Sequence, residues 1–420
     1  MTTIDMRTRY AGSAVVEEAA RLFGDLTDRL AQTGGLGARG VEQLGLPSLG
    51  LDVDGTAAHL VVDDCRLVLR DGHADAGPVA ALDAAACSEL LQDVTSTFGL
   101  VMAGRVRMER GTSDQFVAWE PVLRAVLDER PVHEPGSIEL RDRDGGPLDL
   151  DRMFRVDDDS KDEIGHFLAE AGYLHLGGVF TKSEMAAVSA ELDVAVAAAA
   201  QDDGASWWAR TADGWYPSRI LGFNLQSPTL QELLASDRFG VIGTFTDDAM
   251  RQRPPTTGDS AEGLWKKVGV VEGISDVSWH KDCSMGGHSR GCCGLIVGIS
   301  VTGADGRSGE LGVVAGSHRA DVQAIDVRPD LDLPRVPLPT ETGDVTVHCS
   351  CTLHMSRPPV DRERRVAYTG FGLAPREGDV YERLDADEIR RRRAALSDQV
   401  RTRERADGSP RNPEAFLLER

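Results

Sequence analysis

Residues 278–293, SWHKDCSMGGHSRGCC, gather His280, Asp282, Cys283, His288, Cys292 and Cys293, all side chains able to hold a metal. A second stretch, GDVTVHCSCTLHMS from Gly343 to Ser356, adds His348, Cys349, Cys351 and His354. Side chains along an extended strand alternate between faces. If SWHKDC is extended, His280 and Asp282 point one way, Lys281 and Cys283 the other. In the second stretch Thr346, His348, Ser350, Thr352 and His354 share one face. Val345, Val347, Cys349, Cys351 and Leu353 share the opposite face, which is apolar plus two thiols and belongs against packed protein. Structural zinc favours closed Cys and His tetrahedra with paired spacing, which the adjacent Cys292-Cys293 and the tight Cys349-x-Cys351 supply poorly. Two imidazoles and one carboxylate on an interior wall instead suit non-haem Fe(II), with positions left open for a co-substrate and oxygen. His348 and His354 are both candidates for the second imidazole, and their shared face does not choose between them.

These groups must be carried by short strands. KKVGVVEG, DVSWHKD, CGLIVGISVTG, GELGVVAGSH, GDVTVHCSCTLHM and RRVAYTGFGL follow one another after residue 260, separated by Gly-rich turns. Such a series predicts an antiparallel sandwich or barrel. Ahead of it, Ile164, Phe167, Leu168 and Ala171 mark a helix face and Tyr173–Leu176 a short strand. Thr181 and Glu184 form a capping box that opens a further helix. In the last strand Arg365, Ala367, Thr369 and Phe371 alternate with Arg364, Val366 and Tyr368, so only one of the adjacent arginines faces inward.

From residue 134 the text HEPGSIELRDRDGGPLDLDRMFRVDDDSKDE is rich in Gly, Pro and Asp and predicts a linker. Upstream, Val15, Ala19, Leu22 and Leu26 space a helix within 14–32. HLVVDDCRLVLRDG (59–72) predicts a turn-linked strand pair. A helix over LDAAACSELLQDVTSTFGL, a strand at GRVRMERG and a helix over QFVAWEPVLRAVLDE complete a smaller mixed α/β domain.

The 420 residues favour two domains. A hydrophobic share of 41% with 27% charged residues fits a globular protein, and no apolar run approaches the ~18 residues of a membrane span. The opening MTTIDMRTRYAGSAVVEEAARLF lacks a signal-peptide core, so a cytoplasmic location is expected. A net charge of −22 excludes nucleic acid and anionic membranes as principal partners. The basic IRRRRAALSDQVRTRERA near the C-terminus predicts a solvated helix face. The seven cysteines form no regular framework and are expected as free thiols.

Taken in order, FLAEAGYLHLGGVFTKSEM (167–185), WHKD (279–282), GELGVVAGSHR (309–319), GDVTVHCSCTLHMS (343–356) and RRV (364–366) resemble the phytanoyl-CoA dioxygenase family. That resemblance implies a double-stranded β-helix of jelly-roll, cupin-like type with flanking helices, and an Fe(II)- and 2-oxoglutarate-dependent oxygenase. Asp344, His354, Ser356 and Arg365 fall at the family's spacing. The alignment thereby implies His280, Asp282 and His354 as iron ligands, with Arg365 and Ser356 on the far carboxylate of 2-oxoglutarate. Lys266, upstream of the His-x-Asp, is a further co-substrate candidate, and Lys267 stands beside it. Trp279 and His348 are candidates for the substrate pocket, and GSHR (316–319) fits a family turn. The presence of Asp282 argues against halogenation, since related halogenases lack this carboxylate.

The N-terminal stretch TFGLVMAGRVRMERGTSDQFVAWEPVLRAVL (97–127) is similar to sterol-carrier-protein domains, which implies an apolar cavity. The expected class is therefore α+β, with a sterol-carrier-like domain at 1–135, a linker at 136–160, the oxygenase domain at 161–375 and a charged helical tail at 376–420. The expected reaction is hydroxylation of an apolar small molecule or acyl group, using Fe(II), 2-oxoglutarate and O2 and releasing succinate and CO2. Desaturation or epimerisation would use the same ligands. The alternative is a lipid or acyl carrier with a catalytically silent oxygenase-like domain.

Overall fold

The computed structural model describes residues 14–252, 260–273, 277–284, 294–327 and 329–373. The expected tail at 376–420, together with His288, Cys292 and Cys293, lies outside the described residues.

The first helix, Ala19–Leu44, buries Ala19, Leu22, Leu26 and Leu30 along one face. Val15 precedes it and is 63% exposed, so the helix starts later than the spacing predicted. It also continues past Gln32 through Gly34, Gly37 and Gly40, residues that weaken a helix on their own. Packing overrides that weakness. A Cβ on Gly37 would lie 2.8 Å from Leu67 and 2.9 Å from Val126, so glycine is what lets the helix approach its neighbours this closely. Gly45, at φ 63°, ends it.

Beneath lies a five-stranded sheet of β1 (Leu49–Val53), β2 (Thr56–Asp63), β3 (Arg66–Asp71), β4 (Val79–Leu82) and β5 (Arg107–Arg110), ordered β3-β2-β1-β4-β5. The hairpin of β2 and β3 is the predicted strand pair, turning through Asp64 and Cys65 at positive φ. The two helices predicted next are each broken. Asp93, at φ 54°, separates Ala84–Leu91 from Thr97–Met102. Glu120–Asp128 starts afresh after Ser113–Val117, with Pro121 in its first turn, where a missing N–H is harmless. Leu26, Leu49, Leu60, Leu67, Trp119 and Val122 belong to the core of this region.

The rest of the chain supplies β6 (Tyr173–Leu176), β7 (Ser206–Thr211), β8 (Gly214–Ile220), β9 (Arg251–Gln252), β10 (Glu262–Lys266) and β11 (Val277–His280). It continues with β12 (Gly294–Ser300), β13 (Leu311–Val314), β14 (Arg335–Leu338), β15 (Val345–Cys349), β16 (His354–Ser356) and β17 (Arg364–Gly372). One sheet runs β6-β15-β12-β17-β10-β8-β7, with β9 on β17, and a smaller one runs β11-β16-β13-β14. All the pairings in both are antiparallel. Together they make a jelly roll flanked by helices.

The larger sheet turns Leu295, Val297, Val345, Val347, Ala367 and Phe371 into the same core as Phe167, Leu168, Met185 and Val188 of the helices Lys161–Ala171 and Lys182–Ala198. The second of these helices opens on the predicted capping box of Thr181 and Glu184. Phe154, within the irregular 136–160 stretch, is fully buried in that core and bridges to Leu176. The opposite face of the larger sheet looks at the smaller one: Lys266 of β10 reaches Ser356 of β16, and His348 of β15 lies against His354 of β16.

Two strands differ from their predicted form. KKVGVVEG is mostly turn, and the ladder lies upstream at Glu262–Lys266. GDVTVHCSCTLHMS is two strands rather than one, broken at 350–353, so β15 and β16 belong to opposite sheets. Among the described residues no helix is long and apolar enough to cross a membrane.

Candidate metal centre

β11 and β16 pair antiparallel with His280 opposite His354, which brings two imidazoles side by side, ring centroids 4.1 Å apart. Asp282 follows β11 at the start of a short 3-10 turn. Its Oδ1 is 3.5 Å from His280 Nε2 and its Oδ2 is 3.4 Å from His354 Nε2. One ligand atom from each of His280, Asp282 and His354 lies within 4.8 Å of the others, so a single ion can be gripped by all three. His280 and His354 converge because they are cross-strand neighbours. The common strand face expected for His348 and His354 is not the reason His354 arrives here, since the chain changes sheets between them.

The protonation states suit a metal. Burial, reinforced by the neighbouring His348 and His280, pushes His354 well below the usual imidazole range. Its Nδ1 lies 2.9 Å from the Thr352 carbonyl, which takes the Nδ1 proton and leaves the Nε2 lone pair facing Asp282. Burial works against ionisation of Asp282, but His354, His280 and His348 around it hold its carboxyl well below the ordinary value. The donor set of two imidazoles and a carboxylate fits Fe(II).

The two ligand-bearing segments are tied from behind by one serine. Leu353, next to His354, donates its N–H to Ser317 Oγ at 2.8 Å. Lys281, between His280 and Asp282, donates from Nζ to the Ser317 carbonyl at 3.3 Å. Ser317 Oγ itself donates to the Val314 carbonyl, which fixes the GSHR turn. Lys281 is 4% exposed, so its position behind the strand is packed and not solvated.

The residues expected to hold 2-oxoglutarate divide. Lys266 is buried and donates to Ser356 Oγ and to the Arg357 carbonyl, both at 2.6 Å. Arg365 does not join them. It points out of the jelly roll onto the helix Lys182–Ala198, donating to Ser189 and pairing with Asp193 Oδ1 at 2.8 Å, over the ring of Trp265. The inward arginine is Arg364, directly cross-strand from Lys266 and 2% exposed. Its Nη1 donates to the Gly309 carbonyl, its Nε is enclosed without a hydrogen bond, and no carboxylate pairs with it among the described residues. A signal for this existed in the sequence. The polar set of β15 faces inward, and by the same rule Arg364 and Tyr368, not the run containing Ala367 and Phe371, should do so in β17.

Trp279 also departs from expectation. It packs behind the ligand strand with Val314, Ala320, Val322, Leu333 and Leu353, on the side away from His280. His348, in contrast, is fully buried at the centre itself, its Nε2 3.4 Å from Asp282 Oδ2. Cys283, Cys349 and Cys351 are buried.

A second trio, Asp52, His73 and Glu109, sits half-exposed on the N-terminal sheet with His73 Nε2 3.7 and 3.9 Å from the two carboxylates. Both acids already have partners, the Gly55 N–H for Asp52 and Arg107 for Glu109.

Residues 168–366 match the family model described as Phytanoyl-CoA dioxygenase (PhyH). No curated protein matches the chain in sequence. Among solved structures the chain is similar to AviO1 from Streptomyces viridochromogenes Tue57, at 19% identity and TM-score 0.40 over 52% of this chain and 97% of that one. It is similar to the non-heme alpha ketoglutarate dependent epimerase SnoN from nogalamycin biosynthesis, at 19% identity and TM-score 0.39 over 50% and 82%. A third likeness is to EvdO2 from Micromonospora carbonacea var. aurantiaca complexed with 2-oxoglutarate, at 20% identity and TM-score 0.39 over 54% and 95%.

Proposed function

We propose, from the match of residues 168–366 to the phytanoyl-CoA dioxygenase family model, that the chain is an Fe(II)- and 2-oxoglutarate-dependent oxygenase acting on a small molecule. The observation that carries the proposal is a buried guanidinium with no anion among the described residues, Arg364, on the inner face that looks at a set of two histidines and a carboxylate.

His280 Nε2, Asp282 and His354 Nε2 would hold the metal. Bound there, Fe(II) supplies the centre at which 2-oxoglutarate and O2 react, so that a substrate C–H bond is oxidised and succinate and CO2 are released. Arg364 offers its planar fork to the far carboxylate of the co-substrate, binding charge and orientation together. Lys266 and Ser356, already joined to each other, line the same end. This assignment replaces Arg365, whose guanidinium is committed to Ser189 and Asp193.

The inner face beyond this end carries polar groups. Register places Arg219, Leu264 and Val366 on one cross-strand row, and Glu262, Tyr368, Gly298 and Thr346 on the next. Arg219 pairs with Glu262 at 3.2 Å and lies over Trp207, 4.6 Å from the ring centroid. A substrate with polar substituents on an apolar body fits such a wall better than the apolar small molecule or acyl group expected from the sequence. Hydroxylation is the reaction we assign.

The test is an anaerobic titration of purified protein with Fe(II) and then 2-oxoglutarate. It should produce a visible metal-to-ligand charge-transfer band, and admission of O2 with ascorbate should yield succinate. Iron-loaded protein that shows neither would overturn the proposal.

A further inference from the structure

We infer that His348 is a positioning residue for Asp282: it donates Nε2–H to the carboxylate and fixes how that carboxylate meets the metal. The inference rests on the iron-site reading above and extends it to a residue outside the ligand set.

His348 sits on β15, cross-strand from Ile296 of β12 and Tyr173 of β6, and is 1% exposed. It reaches the centre from the larger sheet, whereas the three ligands come from the smaller sheet and the turn after it. Its Nε2 is 3.4 Å from Asp282 Oδ2, and its ring lies 4.1 Å from that of His354, tilted by 44°. It contributes no atom to the mutually close group of His280, Asp282 and His354, so it stands beside the ligand set and not within it.

The proton on His348 can be placed by elimination. Its Nδ1 is enclosed and has no hydrogen-bond partner among the described residues. A proton there would be a buried donor without an acceptor, and the Nε2 lone pair would then face a carboxylate oxygen. A proton on Nε2 turns the same contact into a hydrogen bond to an anion and leaves only an unfilled acceptor at Nδ1, the less costly of the two omissions. His348 is therefore the Nε2–H tautomer, and Asp282 is its acceptor.

Asp282 needs such a hold. It lies beyond the end of β11, where the backbone has left the ladder, and a carboxylate so placed can rotate between ligand modes. With Oδ2 engaged by His348 and Oδ1 turned toward His280, the rotation is restricted. Partners of this kind commonly account for roughly 10- to 100-fold in metal affinity.

The experiment uses the full chain with Co(II) as a spectroscopic substitute for iron. Affinity is measured by chelator competition and ligand geometry by the visible absorption of bound Co(II). In His348→Phe the ring volume stays and the donor is lost. Co(II) affinity should fall roughly 10- to 100-fold with a changed spectrum, while thermal unfolding shows a folded protein. His348→Gln, which returns an N–H donor, should recover most of the affinity and the wild-type spectrum. Equal Co(II) binding by wild type and His348→Phe overturns the inference, as does a His348→Gln variant no better than His348→Phe. Should the Phe variant fail to fold, His348→Leu takes its place against Gln. His280→Ala separates the two readings: wild-type binding that survives it would sink the iron site itself, whereas binding lost in His280→Ala but untouched in the His348 variants would sink only the role of His348.

Discussion

Arg124 in the N-terminal region and Arg364 in the jelly roll are both guanidiniums almost closed off from solvent, at 1% and 2% exposure. Arg124, on the helix Glu120–Asp128, is surrounded by anions. Its Nη1 is 2.9 Å from Asp93, its Nε is 3.3 Å from Glu120, and its Nη2 donates to the Leu90 carbonyl. Burial alone would lower its pKa, yet Glu120 and Asp93 raise it above the ordinary value. Arg364 has one backbone carbonyl and no acid among the described residues. Taking one partner from a buried pair that the chain itself supplies is costly, whereas Arg364, unmatched among the described residues, is where the proposed co-substrate would bring the opposite charge.

That contrast is open to direct attack. The largest expected effect is on Arg364→Leu. 2-Oxoglutarate affinity, read by the charge-transfer band or calorimetry, should fall by at least ~100-fold, equivalent to about 3 kcal/mol. Its melting temperature should hold or rise, because an unmatched buried cation has gone. Arg124→Leu should do the reverse, leaving Asp93 and Glu120 buried without their cation. Chemical denaturation should show a loss of about 3–5 kcal/mol, with 2-oxoglutarate affinity of the folded protein unchanged. If the two variants behaved alike, the distinction would fail.

Asp344 sharpens the point, because it is a matched buried charge inside the jelly roll. Burial raises its carboxyl, but His175 and the N–H groups of Gly178 and Glu341 outweigh this and hold it below the ordinary 3.8. A depressed carboxyl stabilises the fold fully above its unfolded pKa, and that contribution drains away as pH falls through the folded value. Asp344→Asn should therefore cost about 1.5–3 kcal/mol at neutral pH, and its deficit against wild type should shrink below about pH 4 in acid denaturation curves. The smallest effect belongs to Arg365→Ala. Asp193, its partner, keeps a side chain 59% exposed, so the loss should stay within about 1 kcal/mol, and 2-oxoglutarate binding should change by less than about two-fold.

Much of the site was legible beforehand. The apolar run of Val345, Val347 and Cys349 carries a local rule that turns it into the core, and His280 and Asp282 were paired by their spacing, although Asp282 lies in a turn beyond β11; His354 was chosen over His348 by the family resemblance and not by a local rule. Lys281 illustrates the limit. Alternation turns it away from the metal, but nothing local announces that Ser317, thirty-six residues on, would receive both its ammonium and the backbone of the other ligand segment.

The sequence by itself determined the candidate ligand types, their spacing and the parity of each strand. Tertiary structure decided the phase. Period two says that Arg364 and Arg365 face opposite ways, and a shift of one residue exchanges every side chain of the strand between the two faces. The choice came from long-range pairing and packing: β17 lies in register with β10, Arg364 beside Lys266, while Ala367 and Phe371 are drawn into the core beneath the flanking helices. The same holds for His348 and His354. Six positions apart in one stretch of chain, they meet because the chain changes sheets between them, and two facing sheets bring together what strand alternation alone would set along a single wall.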